Sequence, residues 1–156
     1  MLTEENITMN ILDYLEKNGW IILCFDYPQS GTGIYFKDES SSSEKNKNSI
    51  NPDIIATKNN ISLYFENKSY YSQHDIDLIR RLKKANNYRR SIDKKLKKTK
   101  DTIFYYGVGL PFTIKIEKKI KSLLKLQQID FAILVNDEKK IKCYSRSTKS
   151  KTTPHM

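Results

Sequence analysis

Asp53, Glu66 and Lys68 are the residues whose types and spacing could do chemistry together. Glu66 and Lys68 lie two apart in Ile61-Ser62-Leu63-Tyr64-Phe65-Glu66-Asn67-Lys68, a run whose aromatic and apolar content predicts a strand. Residues two apart on a strand share a face, so the carboxylate and the ammonium project together while Asn67 points away. Asp53 opens a second run of this kind, Pro52-Asp53-Ile54-Ile55-Ala56-Thr57, and Lys58-Asn59-Asn60 between the two predicts a hairpin. The hairpin brings Asp53 across from Glu66 and Lys68. Leu63 and Phe65 would face the core, and Ser62, Tyr64 and Glu66 a half-open face that holds the site. Two carboxylates with a backbone carbonyl and waters form a hard-oxygen set suited to Mg²⁺. A lysine beside them can hold a hydroxide or the charge that develops on a phosphate under attack.

Pro52-Asp53, twelve intervening residues and then Glu66-Asn67-Lys68 resembles the signature of the PD-(D/E)xK nuclease superfamily, which contains type II restriction endonucleases, Holliday-junction resolvases and repair nucleases. The resemblance covers roughly residues 3–110: a leading helix ending at Gly-aromatic, a first strand, the hairpin, then a helix and a strand. It implies a restriction-endonuclease-like fold in which Asp53 and Glu66 ligate Mg²⁺ (Mn²⁺ being able to substitute) and Lys68 assists the attacking water. Many members also carry a glutamate on the first helix near the metal. Counting back from Gly19 puts Asn10 at that place, with Glu5 more than a turn earlier and Glu16 near the helix end.

The net charge of +10 is concentrated in one segment. Residues 80–100 hold eleven basic residues against the single acid Asp93, and the rest of the chain is balanced. A polyanion is the natural partner of such a segment, because neutralising phosphates releases condensed counterions. Arg80, Arg81, Lys83, Lys84, Arg89 and Arg90 are the candidate nucleic-acid contacts, and a merely solvated helical face is the competing explanation.

These groups need elements to position them. Residues 3–18 form an amphipathic helix by the spacing of Ile7, Ile11, Leu12 and Leu15, with Thr3 as N-cap and Gly19 at the C-terminal end. Trp20–Phe25 predicts a buried strand. Pro28–Gly33 reads as a loop, and residues 38–50 as a polar, low-complexity, mobile insertion. A long helix starts at Ser72, with Ser72 and Asp75 resembling a capping box, and a break near Asn86-Asn87. Strand 102–109, helix 112–126 and strands 129–135 and 140–144 follow. The expected order, α-β-β-β-α-β-α-β-β, places the chain in the α/β or α+β class with a central mixed sheet. A single domain over residues 1–145 and a disordered tail over 146–156 suit the length of 156 residues.

Other chemistries lack their residues. His74 and His155 make no zinc pair, and Gly31-Thr32-Gly33 is not followed by a phosphate-loop pattern. Cys24 and Cys143 lie in apolar runs and are expected to be free, buried thiols. Tyr70-Tyr71 and Tyr105-Tyr106 could stack on bases, although such pairs commonly straddle a sheet. No run approaches the roughly 18–20 apolar residues that span a bilayer, and Glu4 and Glu5 stand where a signal peptide would be basic, so a soluble cytoplasmic protein is expected. The expected activity is Mg²⁺-dependent hydrolysis of double-stranded DNA by a restriction-type endonuclease acting as a homodimer. A junction resolvase or repair nuclease of the same fold, and a non-catalytic nucleic-acid-binding module, are the alternatives.

Overall fold

The computed structural model describes residues 1–26, 36, 49–85 and 87–146. The Pro28–Gly33 loop, most of the 38–50 insertion, Asn86 and the tail beyond Arg146 lie outside the described residues. Helix α1 (Glu4–Lys17) begins with a reciprocal cap: Asn6 N donates to Thr3 Oγ1 at 3.0 Å, and Thr3 N donates to Asn6 Oδ1 at 3.1 Å. Ile7, Ile11 and Leu15 form its buried stripe, and Gly19 ends it with a φ of +84°.

Six strands follow one another in space in the order of the chain: β1 (Ile21–Phe25), β2 (Ile54–Lys58), β3 (Ile61–Asn67), β4 (Ile103–Pro111), β5 (Phe131–Val135) and β6 (Ile141–Ser145). The pairs β1–β2, β2–β3 and β5–β6 are antiparallel. The β3–β4 and β4–β5 pairs are parallel. Parallel neighbours need crossovers, which α2 (Gln73–Ala85) and α3 (Arg89–Leu96) supply for the first pair and α4 (Ile114–Lys125) for the second.

The alternation of β3 feeds two cores. Leu63 and Phe65 pack with Ile7, Ile11 and Leu15 of α1 on one face. Tyr64 packs with Ile76, Ile79 and Ile120 of α2 and α4 on the other. The half-open face expected beside Glu66 is therefore a correction: Ser62 and Tyr64 are buried, because the crossover helices cover that side, and the face opens only at the C-terminal end of β3. Tyr105 and Tyr106 do straddle the sheet, one in each core. Cys24 is buried and Cys143 half-buried, both free.

The long basic helix is two helices, as the Asn86-Asn87 break suggested, which adds one helix to the expected order. Pro111 ends β4, and Thr113 caps α4 by accepting from Ile116 N at 3.0 Å. Among the described residues no helix is long and apolar enough to cross a membrane.

Candidate functional site

The hairpin register puts Ile54 opposite Phe65. One step further, Asp53 N donates to Phe65 O at 3.0 Å, so Asp53 stands across from Glu66 at the end of β3. Paired residues on antiparallel strands share a face, and here the two carboxylates project toward α2. Asp53 Oδ2 accepts from Asn67 N at 2.6 Å, and Glu66 Oε1 accepts from Tyr64 Oη at 2.8 Å. Lys68 N donates to Gly109 O at 3.0 Å, which carries the β3–β4 ladder one residue past the strand. Asn67 points the other way, as its alternation requires, and donates to Thr8 Oγ1 of α1 at 3.0 Å. A side chain at Gly109 would strike Asn67 and Ile11, so only glycine lets β4 pass this anchor.

Burial pushes the Asp53 carboxyl up to about 7, against the lowering effect of the Asn67 N–H; Glu4 and Asp75 raise it further and Lys68 lowers it. Burial also drives Glu66 well above the usual carboxylate range, with the Asp53 charge as the next cause, while its hydrogen bond from Tyr64 opposes the rise. Lys68 is half-buried, and burial lowers it, but Asp75, Glu4, Tyr70 and Asp53 outweigh that loss and hold it above its ordinary value.

Two residues outside the expected trio thus act on it electrostatically. Glu4, in the first turn of α1, influences both Asp53 and Lys68, whereas the expected Asn10 spends its amide on Asn6 O at 2.7 Å. Asp75, in the first turn of α2, influences all three. Asp75 N donates to Ser72 Oγ at 3.3 Å, the helix-starting contact expected of this pair. Its carboxylate, however, is buried, with His74 Nδ1 3.6 Å from Oδ1 and, among the described residues, no partner for Oδ2. Glu66 and Asp75 line a cleft of about 680 Å³, whose wall includes Asn51, Leu78 and Tyr88 and whose cations are Arg81 and Lys84.

The donors fit a small hard cation: two carboxyls raised first by burial, with the Asp53 charge adding to Glu66, and a buried oxygen on Asp75 unpartnered among the described residues. Among the described residues no group of three or more His, Cys, Asp or Glu side chains is placed to hold a metal ion. An ion held by one or two carboxylates and completed by water, the usual habit of Mg²⁺, is the case such a donor set suits.

The six basic candidates divide. Arg81, Lys84 and Arg90 are exposed, the last beside Lys94, Lys97 and Lys100 on a second cleft. Arg80 is exposed and pairs with Asp77 at 3.3 Å. Lys83 and Arg89 differ from these: both are half-buried and already paired within the protein. Lys83 Nζ lies 2.8 Å from Asp130 Oδ1 and donates to Gln127 O at 2.8 Å. Arg89 pairs with Asp93 at 3.0 Å, donates to Thr99 O and Thr102 O, and covers the Phe104 ring at 4.6 Å.

The chain is a mixed α/β protein with a six-stranded mixed sheet flanked, among the described residues, by four helices. No protein-family model matches it, and no curated protein matches it. Among solved structures it is similar to the crystal structure of a FdxN element excision controlling factor protein from Anabaena variabilis, with 17% sequence identity over 87% of this chain and 95% of that one, at a TM-score of 0.44. A likeness at that level carries no argument about function.

Proposed function

We propose that the protein is a metal-dependent DNA endonuclease of restriction-endonuclease-like fold, with Asp53, Glu66 and Lys68 as its catalytic residues. The observation that carries this is the pairing of Asp53 and Glu66 on adjacent strands, desolvated together beside a cleft that holds Arg81 and Lys84. Burying two carboxylates side by side is costly unless they share a proton or a cation. A bound Mg²⁺ would polarise the phosphodiester and make water a better nucleophile. Asp53 and Glu66 would hold that ion. Tyr64 fixes one oxygen of Glu66, and the Asn67 N–H fixes one oxygen of Asp53, leaving the other oxygen of each for the ion. Lys68 keeps its proton at neutral pH, so its role is to stabilise negative charge on the attacked phosphate or on the hydroxide, not to act as a base. Arg81 and Lys84 would hold flanking phosphates.

Cutting of double-stranded DNA at a fixed site by a twofold pair of chains is the form the sequence resemblance implies. Plasmid and four-way-junction substrates, each incubated with purified protein and Mg²⁺, test the proposal. Discrete plasmid fragments support a restriction-type enzyme, and selective cutting of the junction supports a resolvase or repair enzyme. Binding without cleavage in Mg²⁺ or Mn²⁺ would reduce the protein to a non-catalytic nucleic-acid-binding module.

A further inference from the structure

Beyond Lys68 the chain turns through Ser69, Tyr70 and Tyr71 into another cleft, of about 720 Å³, which shares no lining residue with the one formed by Glu66 and Asp75. Three aromatic residues, Tyr70, Tyr71 and Phe112, and two lysines, Lys115 and Lys119, line it. Lys119 Nζ stands 4.1 Å from the Tyr71 ring centroid, so cation and ring already form one unit. Tyr70 is 61% exposed, and both lysines are exposed. Asp137 is the one acid of the lining. The cleft lies next to the candidate catalytic centre along the chain: Tyr70 follows Lys68 by two residues, and Ser69, between them, is part of the lining.

Aromatic faces interleaved with lysines suit a nucleotide, whose base stacks while its phosphate is neutralised. A base inside a duplex has both faces covered by its neighbours, so an aromatic ring can take only a base that has left the stack. We infer that this cleft is a subsite for an unpaired nucleotide adjoining the scissile phosphate, its base stacked on Tyr70 and its phosphate held by Lys115 and Lys119. The inference rests on the nuclease proposal above and narrows its substrate class to DNA carrying an unpaired nucleotide beside the cut. The rim carboxylate of Asp137 could accept a hydrogen bond from an amino group of the base.

The test measures binding of the full chain in EDTA, where nothing is cut. The probes are fluorescein-labelled short duplexes, blunt or carrying a single-stranded oligo-thymidine tail. The native protein should bind the tailed duplex more tightly than the blunt one. Tyr70→Ala should weaken binding of the tailed probe about tenfold, the scale of one lost base stack, and leave the blunt probe unchanged. Tyr70→Phe should keep the native preference, since the ring alone stacks. Tyr70 is exposed, so these variants fold. Equal affinity for the two probes, or an equal loss on both in Tyr70→Ala, overturns the subsite. Cleavage is scored separately in Mg²⁺. A protein that binds the tail through Tyr70 yet cuts nothing keeps the subsite and loses the nuclease assignment. One that cuts duplex while Tyr70→Ala leaves tail binding intact loses the subsite alone.

Discussion

The backbone N–H of Asn67 donates to Oδ2 of Asp53 over 2.6 Å, tying the residue before β2 to the last residue of β3. The same Asn67 reaches Thr8 on α1 with its side chain, so one residue fixes the carboxylate on one side of the sheet and the first helix on the other. The position of Asp53 is therefore a property of the sheet and not of a loose turn.

Asp53→Asn keeps an oxygen that can accept from Asn67 N, so it should fold with near-native stability and lose cleavage. Asp53→Ala should lose cleavage too, and in addition roughly 1–3 kcal/mol of stability, because it orphans a buried N–H. Urea unfolding of the two variants, beside a cleavage assay in Mg²⁺, separates the effects. Native-rate cleavage by Asp53→Asn would remove Asp53 from the catalytic centre.

The metal-free protein should lose stability as pH rises. In the unfolded chain an aspartate releases its proton near roughly pH 4, whereas folded Asp53 keeps it to about 7. Between those values the native state binds the extra proton, so stability is fullest below the lower value and declines through the upper one. Glu66, raised in the same sense, adds to the decline. Mg²⁺ binds the deprotonated pair, so its stabilising effect should grow over the same window. Melting curves in EDTA and in Mg²⁺ across this range check both trends. A native EDTA profile no steeper than that of Asp53→Asn would contradict the raised carboxyl.

Lys68→Ala should fold, retain the Mg²⁺-dependent stabilisation and lose about 10²-fold or more in cleavage rate, the scale of one positioned electrostatic group. Lys68→Arg should restore little of it, since a planar fork does not replace a compact ammonium. The native rate should show no ionisation of Lys68 below pH 9 or so, given a group held above its ordinary value of about 10.4. An undiminished rate in Lys68→Ala would make the Glu66-Asn67-Lys68 match accidental.

The hairpin and its charged end were legible because strand alternation and an Asn-Asn turn are local signals, and the structure puts Asp53 opposite Glu66 as they require. Asp75 was visible in the sequence but read as part of a helix start with Ser72, and Glu4 as an acid near the N-terminus; both do sit in first helical turns, where acids suit the dipole. Their electrostatic role depends on the starts of α1 and α2 both lying near the end of β3, and nothing in a linear pattern reports that placement. Counting from Gly19 placed Asn10 near the metal, ahead of Glu5 and Glu16, but the electrostatic influence on the site comes from Glu4 in the first turn of α1. The closure of the Tyr64 face was hidden for the same reason, since it follows from both crossovers packing on one side. Arg89 with Asp93 was an available i,i+4 pair, while Lys83 with Asp130 joins segments that only the fold brings together.

That division of the basic residues sets the last prediction. Arg81, Lys84 and Arg90 are exposed, so converting all three to Gln should weaken binding to every duplex alike. The log–log slope of affinity against salt should flatten by about 0.9 for each of them that touches a phosphate. Lys83→Gln should behave differently. It leaves the buried Asp130 without its cation, and Asp130 Oδ2 also accepts from Tyr106 N at 2.9 Å, so the loss bears on the centre of the sheet. About 2 kcal/mol of stability should go, the scale of a hydrogen bond to a charged group, with the salt slope unchanged. Arg89→Gln, which gives up Asp93 and two carbonyls, should follow the same pattern. Affinities of the triple variant and the two single variants at several salt concentrations, each beside an unfolding curve, test the division. A flattened slope in Lys83→Gln with native stability would put Lys83 back on the DNA-contacting surface. An unchanged slope in the triple variant would move that surface away from α2 and α3 altogether.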